Sequence, residues 1–75
     1  MSDTLISMDY RFVDILNADQ LEVGDLIGLG IVGIVKIVSI TPTKDGFVLV
    51  IENEFDEKED VEIFDNEKFE LYLLN

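Results

Sequence analysis

Apolar side chains recur at every second position in three short segments of the C-terminal half of the chain, residues 47–53, 61–64 and 69–74. Because successive side chains of a β-strand point to opposite faces, this period of two predicts strands with one buried face. The side chains predicted to face inward are Phe47, Leu49 and Ile51 in the first strand, Val61 and Ile63 in the second, and Phe69, Leu71 and Leu73 in the third.

A longer strand is predicted before these three. Residues 31–40 are rich in β-branched side chains, which favour strands, and both faces of this segment are apolar. The next segment, residues 41–46, predicts a loop. Its Asp45-Gly46 pair is a hairpin signal, and Pro42 indicates a loop longer than two residues.

The N-terminal half contains one further strand and two turn signals. Residues 10–16 predict an additional strand, and Asn17 is suited to cap a single helical turn. Gly24-Asp25 predicts a tight turn that begins the next strand at Leu26. Since no segment shows a sustained period of 3.6 residues with helix caps, the sequence predicts an all-β fold.

The segment Leu21-Glu22-Val23-Gly24-Asp25-Leu26-Ile27 resembles the opening of many SH3-like barrels, among them small phage-type proteins and Hint-like or KOW-like modules. The similarity continues through Val38-Ser39-Ile40, Asp45-Gly46 and Phe47-Val48-Leu49-Val50, and it spans roughly residues 21 to 74. It implies a small SH3-like barrel of about five strands with an N-terminal extension. We therefore expect residues 1–9 to form an N-terminal arm, whose order the sequence leaves open, and residues 10–75 to form a single SH3-like β-barrel domain.

Composition limits how such a domain is held together. A chain of 75 residues buries only about 60% of its unfolded surface, so its core is marginal and oligomerisation is a common remedy. The chain has no Cys and no His, which excludes disulfides and ordinary zinc, haem and iron–sulfur sites. Hydrophobic residues still make up 48% of the chain, so we expect a folded domain without cofactors.

We expect no enzymatic activity and no catalytic residues. Without Cys or His, the remaining nucleophile–base pairing is Ser or Thr with Lys, for example Thr43 with Lys44, and the loop composition explains both residues. Paired carboxylates lack an aromatic sugar-binding cleft, because the chain has no Trp and two Tyr. The His-dependent chemistry of Hint modules and the nucleic-acid binding of basic KOW modules are therefore not carried over by the resemblance.

The glycines at positions 28, 30 and 33 match the GxGxxG motif of dinucleotide-binding sites, but that motif requires a following helix. Strand-forming residues follow here, so these glycines predict bulges or curvature of the sheet. The run Asp56-Glu57-Lys58-Glu59-Asp60 offers oxygen ligands for Ca²⁺ or Mg²⁺. Because it lacks the EF-hand spacing and has a lysine in its middle, we expect weak cation association and no dedicated metal site.

Negative charge is concentrated in one part of the chain. Residues 52–70 hold ten carboxylates against two lysines, a net −8 out of the chain's −12. Side chains two positions apart on a strand lie about 6.8 Å apart on one face, so Glu52 and Glu54 predict a carboxylate row. This acidic edge either contacts a basic partner or keeps the domain soluble and shields an edge strand. Its predicted residues are Glu52, Glu54, Asp56, Glu57, Glu59 and Asp60.

Apolar residues on both faces of the central hairpin predict a second contact surface. Whichever face enters the core, the other leaves β-branched side chains outside, and such patches usually mark an interface. We expect self-association, with a dimer favoured, through Val35, Ile37, Val48 and Val50. The alternative is that the N-terminal segment covers this face with Leu5, Ile6, Met8, Tyr10, Phe12 and Val13.

Together these features predict a non-catalytic, acidic protein-binding module, a small phage-type accessory or host-modulating protein that self-associates. Two alternatives stay open: a nucleic-acid mimic that inhibits a DNA- or RNA-binding protein, and a structural subunit of a larger assembly. The net charge of −12 disfavours direct contact with nucleic acid and with anionic membranes. Because the N-terminus lacks the pattern of a signal peptide, the expected location is the cytoplasm, that of the host if the protein is viral.

Overall fold

The computed structural model describes residues 10–74, which form six β-strands and two short 3₁₀ turns. The strands are β1 (Tyr10–Asn17), β2 (Leu26–Gly28), β3 (Ile34–Pro42), β4 (Gly46–Glu52), β5 (Lys58–Phe64) and β6 (Lys68–Leu74). The 3₁₀ turns are Ala18–Gln20 and Gly30–Val32. The all-β prediction is confirmed, and the arm predicted for residues 1–9 lies outside the described residues. Over residues 10–74 no helix has the length and apolar character needed to cross a membrane.

All six strands belong to one antiparallel sheet with the order β1-β6-β2-β3-β4-β5. Strands β3, β4 and β5 are joined by consecutive hairpins, whereas β6 returns across the sheet to lie between β1 and β2. Within the described residues β1 and β5 are the two edges, so backbone pairing does not close the sheet into a complete barrel.

The hydrophobic core lies on one face of this sheet. Because the described part of the chain supplies no second layer, the sheet must curl around its own inner face to exclude water from it. Ile27, Ile37 and Leu49, from three neighbouring strands, are completely inaccessible to solvent. The remaining buried hydrophobic residues are Ala18, Leu21, Val35, Ile51, Ile63 and Phe69.

A β-bulge in β3 changes which of its side chains face the core. Ile37 lies opposite Ile51 on β4, but the next pairs are Ser39 with Val50 and Ile40 with Leu49, so Val38 is an extra residue. The inward positions therefore shift from odd to even numbers at the bulge. As a result Ile40 packs against the core on the same side as Ile37.

This arrangement corrects the predicted apolar outer face. Val35 and Ile37 are 1% and 0% exposed, so their assignment to a self-association surface is wrong. The apolar character of both faces of the strand did not indicate which set enters the core. Val48 and Val50 do point to the opposite, outer face of the sheet, where both are half-buried.

The start of β3 also differs from the prediction. Residues 30–32 form a 3₁₀ turn, and the strand begins only at Ile34. Gly33 has φ of +92°, a backbone conformation that β-branched side chains avoid, and its N–H donates to the carbonyl of Gly30 at 3.1 Å. The turn therefore ends where this glycine reverses the backbone.

The turn between β3 and β4 is shorter than predicted, because the strands extend to Pro42 and resume at Gly46. Thr43 makes two hydrogen bonds across this turn. Its N–H donates to the carbonyl of Gly46 at 2.8 Å, and its Oγ1 accepts the N–H of Gly46 at 3.1 Å. A Cβ at Gly46 would overlap the carbonyl oxygen of Ile63 and lie 2.7 Å from Phe64 Cα. Only glycine lets β5 approach this closely.

Gly46→Ala is expected to destabilise the fold by about 3 kcal/mol, because the new methyl group must displace the backbone of β5. The measurement is the free energy of unfolding in urea. Gly24→Ala is the control, since Gly24 has φ of +97° but no atom within 4 Å of its added Cβ. It should lose only about 1 kcal/mol from backbone strain, and equal losses in the two variants would contradict the close approach at Gly46.

Tyr72 on β6 is packed on the outer face of the other half of the sheet. An added Cβ at Gly28 would lie 3.3 Å from its ring, and the ring of Phe12 meets it edge to face with centroids 6.0 Å apart. The hydroxyl of Tyr72 donates to Glu70 Oε1 at 2.6 Å. This hydrogen bond, with smaller contributions from desolvation and from the charge of Glu70, raises the pKa of Tyr72 above its ordinary value.

A raised pKa means that the folded protein holds this proton more tightly than the unfolded chain does. The stabilisation is therefore complete below the unfolded-state pKa of about 10 and is lost as pH rises through the higher folded-state pKa. Glu70→Gln should lower the pKa of Tyr72, measured by tyrosinate absorbance in a Tyr10→Phe background where one tyrosine remains. An unchanged pKa in that variant would show that Glu70 does not hold the proton.

Candidate protein-binding surface

The β4–β5 hairpin forms one side of the molecule and carries most of the predicted acidic edge. Within residues 10–74, β5 pairs with β4 on one side only. Val61 and Ile63 of β5 point toward the core, so the alternate residues Asp60 and Glu62 point outward, opposite Val50 and Val48 of β4. The middle of the outer face of β5 therefore carries two carboxylates, with Lys58 before them and Phe64 after them at the next outward positions.

The predicted carboxylate row lies on a different strand from the one expected. Strand β4 ends at Glu52, so Glu54 falls in the turn and does not share a strand face with Glu52. The pair that occupies alternate positions on one strand is Asp60 and Glu62, about 6.8 Å apart along β5. Glu62 was not among the predicted residues, although the period-two pattern of Val61 and Ile63 indicates its outward position.

Glu52 has its charge compensated locally. It lies between two lysines on the outer face, opposite Lys36 of β3 and Lys58 of β5 in the strand register. Lys58 Nζ is 3.5 Å from Glu52 Oε2. Because two cations flank this carboxylate, Glu52 contributes less to the negative surface than the acids of the turn and of β5.

The turn that carries Glu54, Asp56 and Glu57 is organised by Asn53. The side-chain Oδ1 of Asn53 accepts the N–H groups of Phe55 and Glu57 at 2.8 and 3.1 Å, and its Nδ2 donates to Glu57 Oε1 at 3.0 Å. The N–H of Asn53 also donates to the carbonyl of Glu57 at 3.0 Å. These bonds hold the acidic turn in one conformation, so its charges have defined positions.

Phe55 stands at the tip of this acidic turn with 74% of its surface exposed. It borders a shallow groove of about 370 Å³. The other groove-lining residues are Tyr10, Val32, Gly33, Ile34, Asn53 and Glu54. Sequence reasoning treated this stretch only as charge, although an aromatic residue between carboxylates was a visible signal.

The far end of β5 has a similar composition. Phe64 is also largely exposed, beside a smaller depression of about 230 Å³. Thr43 and Lys44, the residues considered for nucleophilic catalysis, line this depression together with Asp45 and Glu62. The hydroxyl oxygen of Thr43 already accepts the N–H of Gly46, which gives this residue a structural role in the turn. An exposed aromatic ring thus lies at each end of the acidic edge strand.

The remaining predicted surface residues are Glu59, which is exposed, and the valines of β4. Val48 and Val50 lie between Thr41 and Ser39 on β3 and the carboxylates of β5. They form a strip two side chains long with polar neighbours on both sides. Among residues 10–74 no group of three or more acidic side chains is arranged to hold a metal ion.

No family model, curated protein or solved structure matches the chain. What the fold and the surface define is a single-sheet, all-β domain with one acidic edge flanked by exposed aromatic rings.

Asp56 provides a test of how rigidly the acidic turn is held, because its φ of +62° is left-handed. Asp56→Gly should stabilise the fold by about 0.5 kcal/mol, whereas Asp56→Ala should destabilise it by about 1 kcal/mol. Asp56→Asn removes the charge and retains a side chain that tolerates this conformation, so it should be near neutral. Urea unfolding measures all three, and equal stability of the Gly and Ala variants would argue against this turn.

Proposed function

We propose that the chain is a non-catalytic, acidic protein-binding module that contacts a basic protein surface through its β4–β5 hairpin. The observation that carries the proposal is the combination of outward carboxylates on an edge strand with an exposed aromatic ring at the turn. Asp60 and Glu62 supply the regular negative row, and Phe55 supplies an apolar group beside it. The partner surface that fits is one of Lys and Arg side chains around an apolar depression.

Electrostatics and apolar contact have separate roles in this proposal. The field of a chain with net charge −12 accelerates encounter with a basic partner and orients it. Exposed charges alone give little affinity, because water and salt screen them. A buried aromatic group at the centre of an interface gives much more. Phe55, held at the tip by the Asn53 hydrogen bonds, is suited to be that group.

We also propose that the fold is SH3-like and that the protein is of phage type, because the sequence resembles phage-type SH3-like barrels. The Gly24-Asp25 turn belongs to the segment that resembles these barrels, and hydrogen bonds hold it in place. Gly24, at φ of +97°, donates its N–H to the carbonyl of Ile37 at 2.8 Å. Asp25 Oδ2 accepts the N–H of Glu22 at 2.9 Å. These contacts support an SH3-like arrangement. The role of a small accessory or host-modulating protein acting in the cytoplasm rests on the sequence resemblance alone.

Nucleic-acid mimicry is the second candidate, and the regular spacing of Asp60 and Glu62 favours it. Two neighbouring outward carboxylates present negative charge on one face, as a phosphate backbone does, and a basic groove built for nucleic acid would accept them. Self-association or assembly through the central hairpin rests on Val48 and Val50 alone, since Val35 and Ile37 are buried.

The test is affinity capture from a host lysate, followed by titration of each captured protein with purified variants. The double variant Asp60→Asn/Glu62→Gln and the single variant Phe55→Ser should each weaken binding about tenfold. Asp19→Asn/Glu22→Gln is the matched control, because it removes two charges from residues outside the hairpin. Its affinity should stay near that of the parent chain.

Three results separate the candidates. Equal losses in the hairpin and control variants would mean that net charge, not the hairpin, determines binding. Displacement of the bound partner by duplex DNA or RNA would favour mimicry, because the two ligands then compete for one groove. Binding that withstands high salt and all of these variants would contradict both candidates.

A further inference from the structure

Strand β1 forms the edge of the sheet opposite the acidic hairpin, and its composition is different. In residues 10–74, β1 pairs only with β6, so its other backbone edge has no strand beside it among the described residues. Phe12 and Ile15 are 51% and 54% exposed, and Val13 is exposed as well. An eight-residue edge strand with apolar side chains is a template for pairing with another strand.

A β-bulge in β1 places its two charges on the same face of the sheet. Arg11 lies opposite Leu73 and Asp14 lies opposite Leu71, and these two leucines are two positions apart on β6. Arg11 and Asp14 therefore share a face, although three positions separate them, because Val13 is the extra residue. Tyr10, Phe12 and Ile15 point to the other face, opposite Leu74, Tyr72 and Glu70 respectively.

We propose that β1 is the site at which two copies of the chain join, edge to edge and antiparallel, into one continuous sheet. The twofold axis passes between Phe12 and Val13, so that Arg11 of each copy lies opposite Asp14 of the other. Tyr10 of each copy then lies opposite Ile15 of the other. Directly opposite residues of an antiparallel pair must point to the same face, and the bulge makes both of these pairs satisfy that condition.

Charge complementarity identifies the occupant as a second copy. The strand carries one cation and one anion, so it is a neutral strip on a chain of net charge −12, and twofold pairing matches each charge with its opposite twice. The acidic β5 edges lie at the other end of each sheet.

This interface differs from the central-hairpin surface predicted from sequence, and it does not depend on the proposed function of the β4–β5 hairpin. Backbone hydrogen bonds on either side of the bulge supply the pairing, as in strand addition to a sheet edge. Tyr10 of β1 also lines the groove beside Phe55, but the two inferences are tested with different variants and different measurements, so either can fail without the other.

Sedimentation equilibrium of the full chain and three variants tests the proposal. Arg11→Asp should raise the dimer dissociation constant at least about tenfold, because a complementary pair becomes a like-charge pair twice in each dimer. The double variant Arg11→Asp/Asp14→Arg restores complementarity with the charges exchanged and should recover the parent dissociation constant. Lys44→Asp makes the same change in net charge outside β1 and should leave it unchanged.

Hydrogen exchange locates the interface. Amide protection of residues 10–17 should rise with protein concentration, while that of residues 58–64 should not. A chain that is monomeric throughout the micromolar to millimolar range would overturn the proposal, as would equal weakening by Arg11→Asp and Lys44→Asp. A full chain that is monomeric while a variant lacking residues 1–8 dimerises would overturn it too, because residues 1–8 would then occupy the edge.

Discussion

The structure depends on one constraint: a single β-sheet must bury its own inner face. With no helix or second sheet among the described residues, water is excluded only if the strands curl around Ile27, Ile37 and Leu49. That requirement selects β-branched and leucine side chains for the inner positions of neighbouring strands. It also makes each strand's register critical, since a slip of one residue would turn the core outward.

The β-bulge at Val38 lets β3 bend while apolar side chains on both sides of the bulge still face the core. Strand β3 has nine residues and is the longest of the described strands, and without a bulge it would bend less. The extra residue bends the strand and increases its twist, and at the same time it transfers Ile40 to the core side. Gly46 at the adjoining turn also allows close packing, because its lack of a side chain lets the backbone of β5 approach it closely.

The order of the strands separates the two edges chemically. Strand β5 is rich in carboxylates, which discourage strand pairing by repulsion. Strand β1 carries one cation and one anion among apolar side chains, so charge repulsion does not oppose pairing at its edge. In the pairing order four strands, β6, β2, β3 and β4, lie between β1 and β5. Tyr10 of β1 nevertheless lines the same groove as Phe55 of the β4–β5 turn.

Local pattern was enough to determine the all-β class, the inward sides of β4 and β5 and the acidic character of one segment. These properties depend on residues close together in sequence, such as the alternation of Leu49 with Val50 and of Val61 with Glu62. Pattern was not enough for β3, where both faces are apolar and the choice between Val35 and Ile34 depends on what lies above the strand.

The sequence by itself thus determined which segments are strands and where the negative charge is concentrated. Only the tertiary structure decided which carboxylates share a face, that Glu52 lies between two lysines, and that Arg11 and Asp14 point the same way. The physical reason is that strand ends, bulges and cross-strand partners arise from packing between segments distant in the chain. A period of two, counted along one strand, contains none of that information.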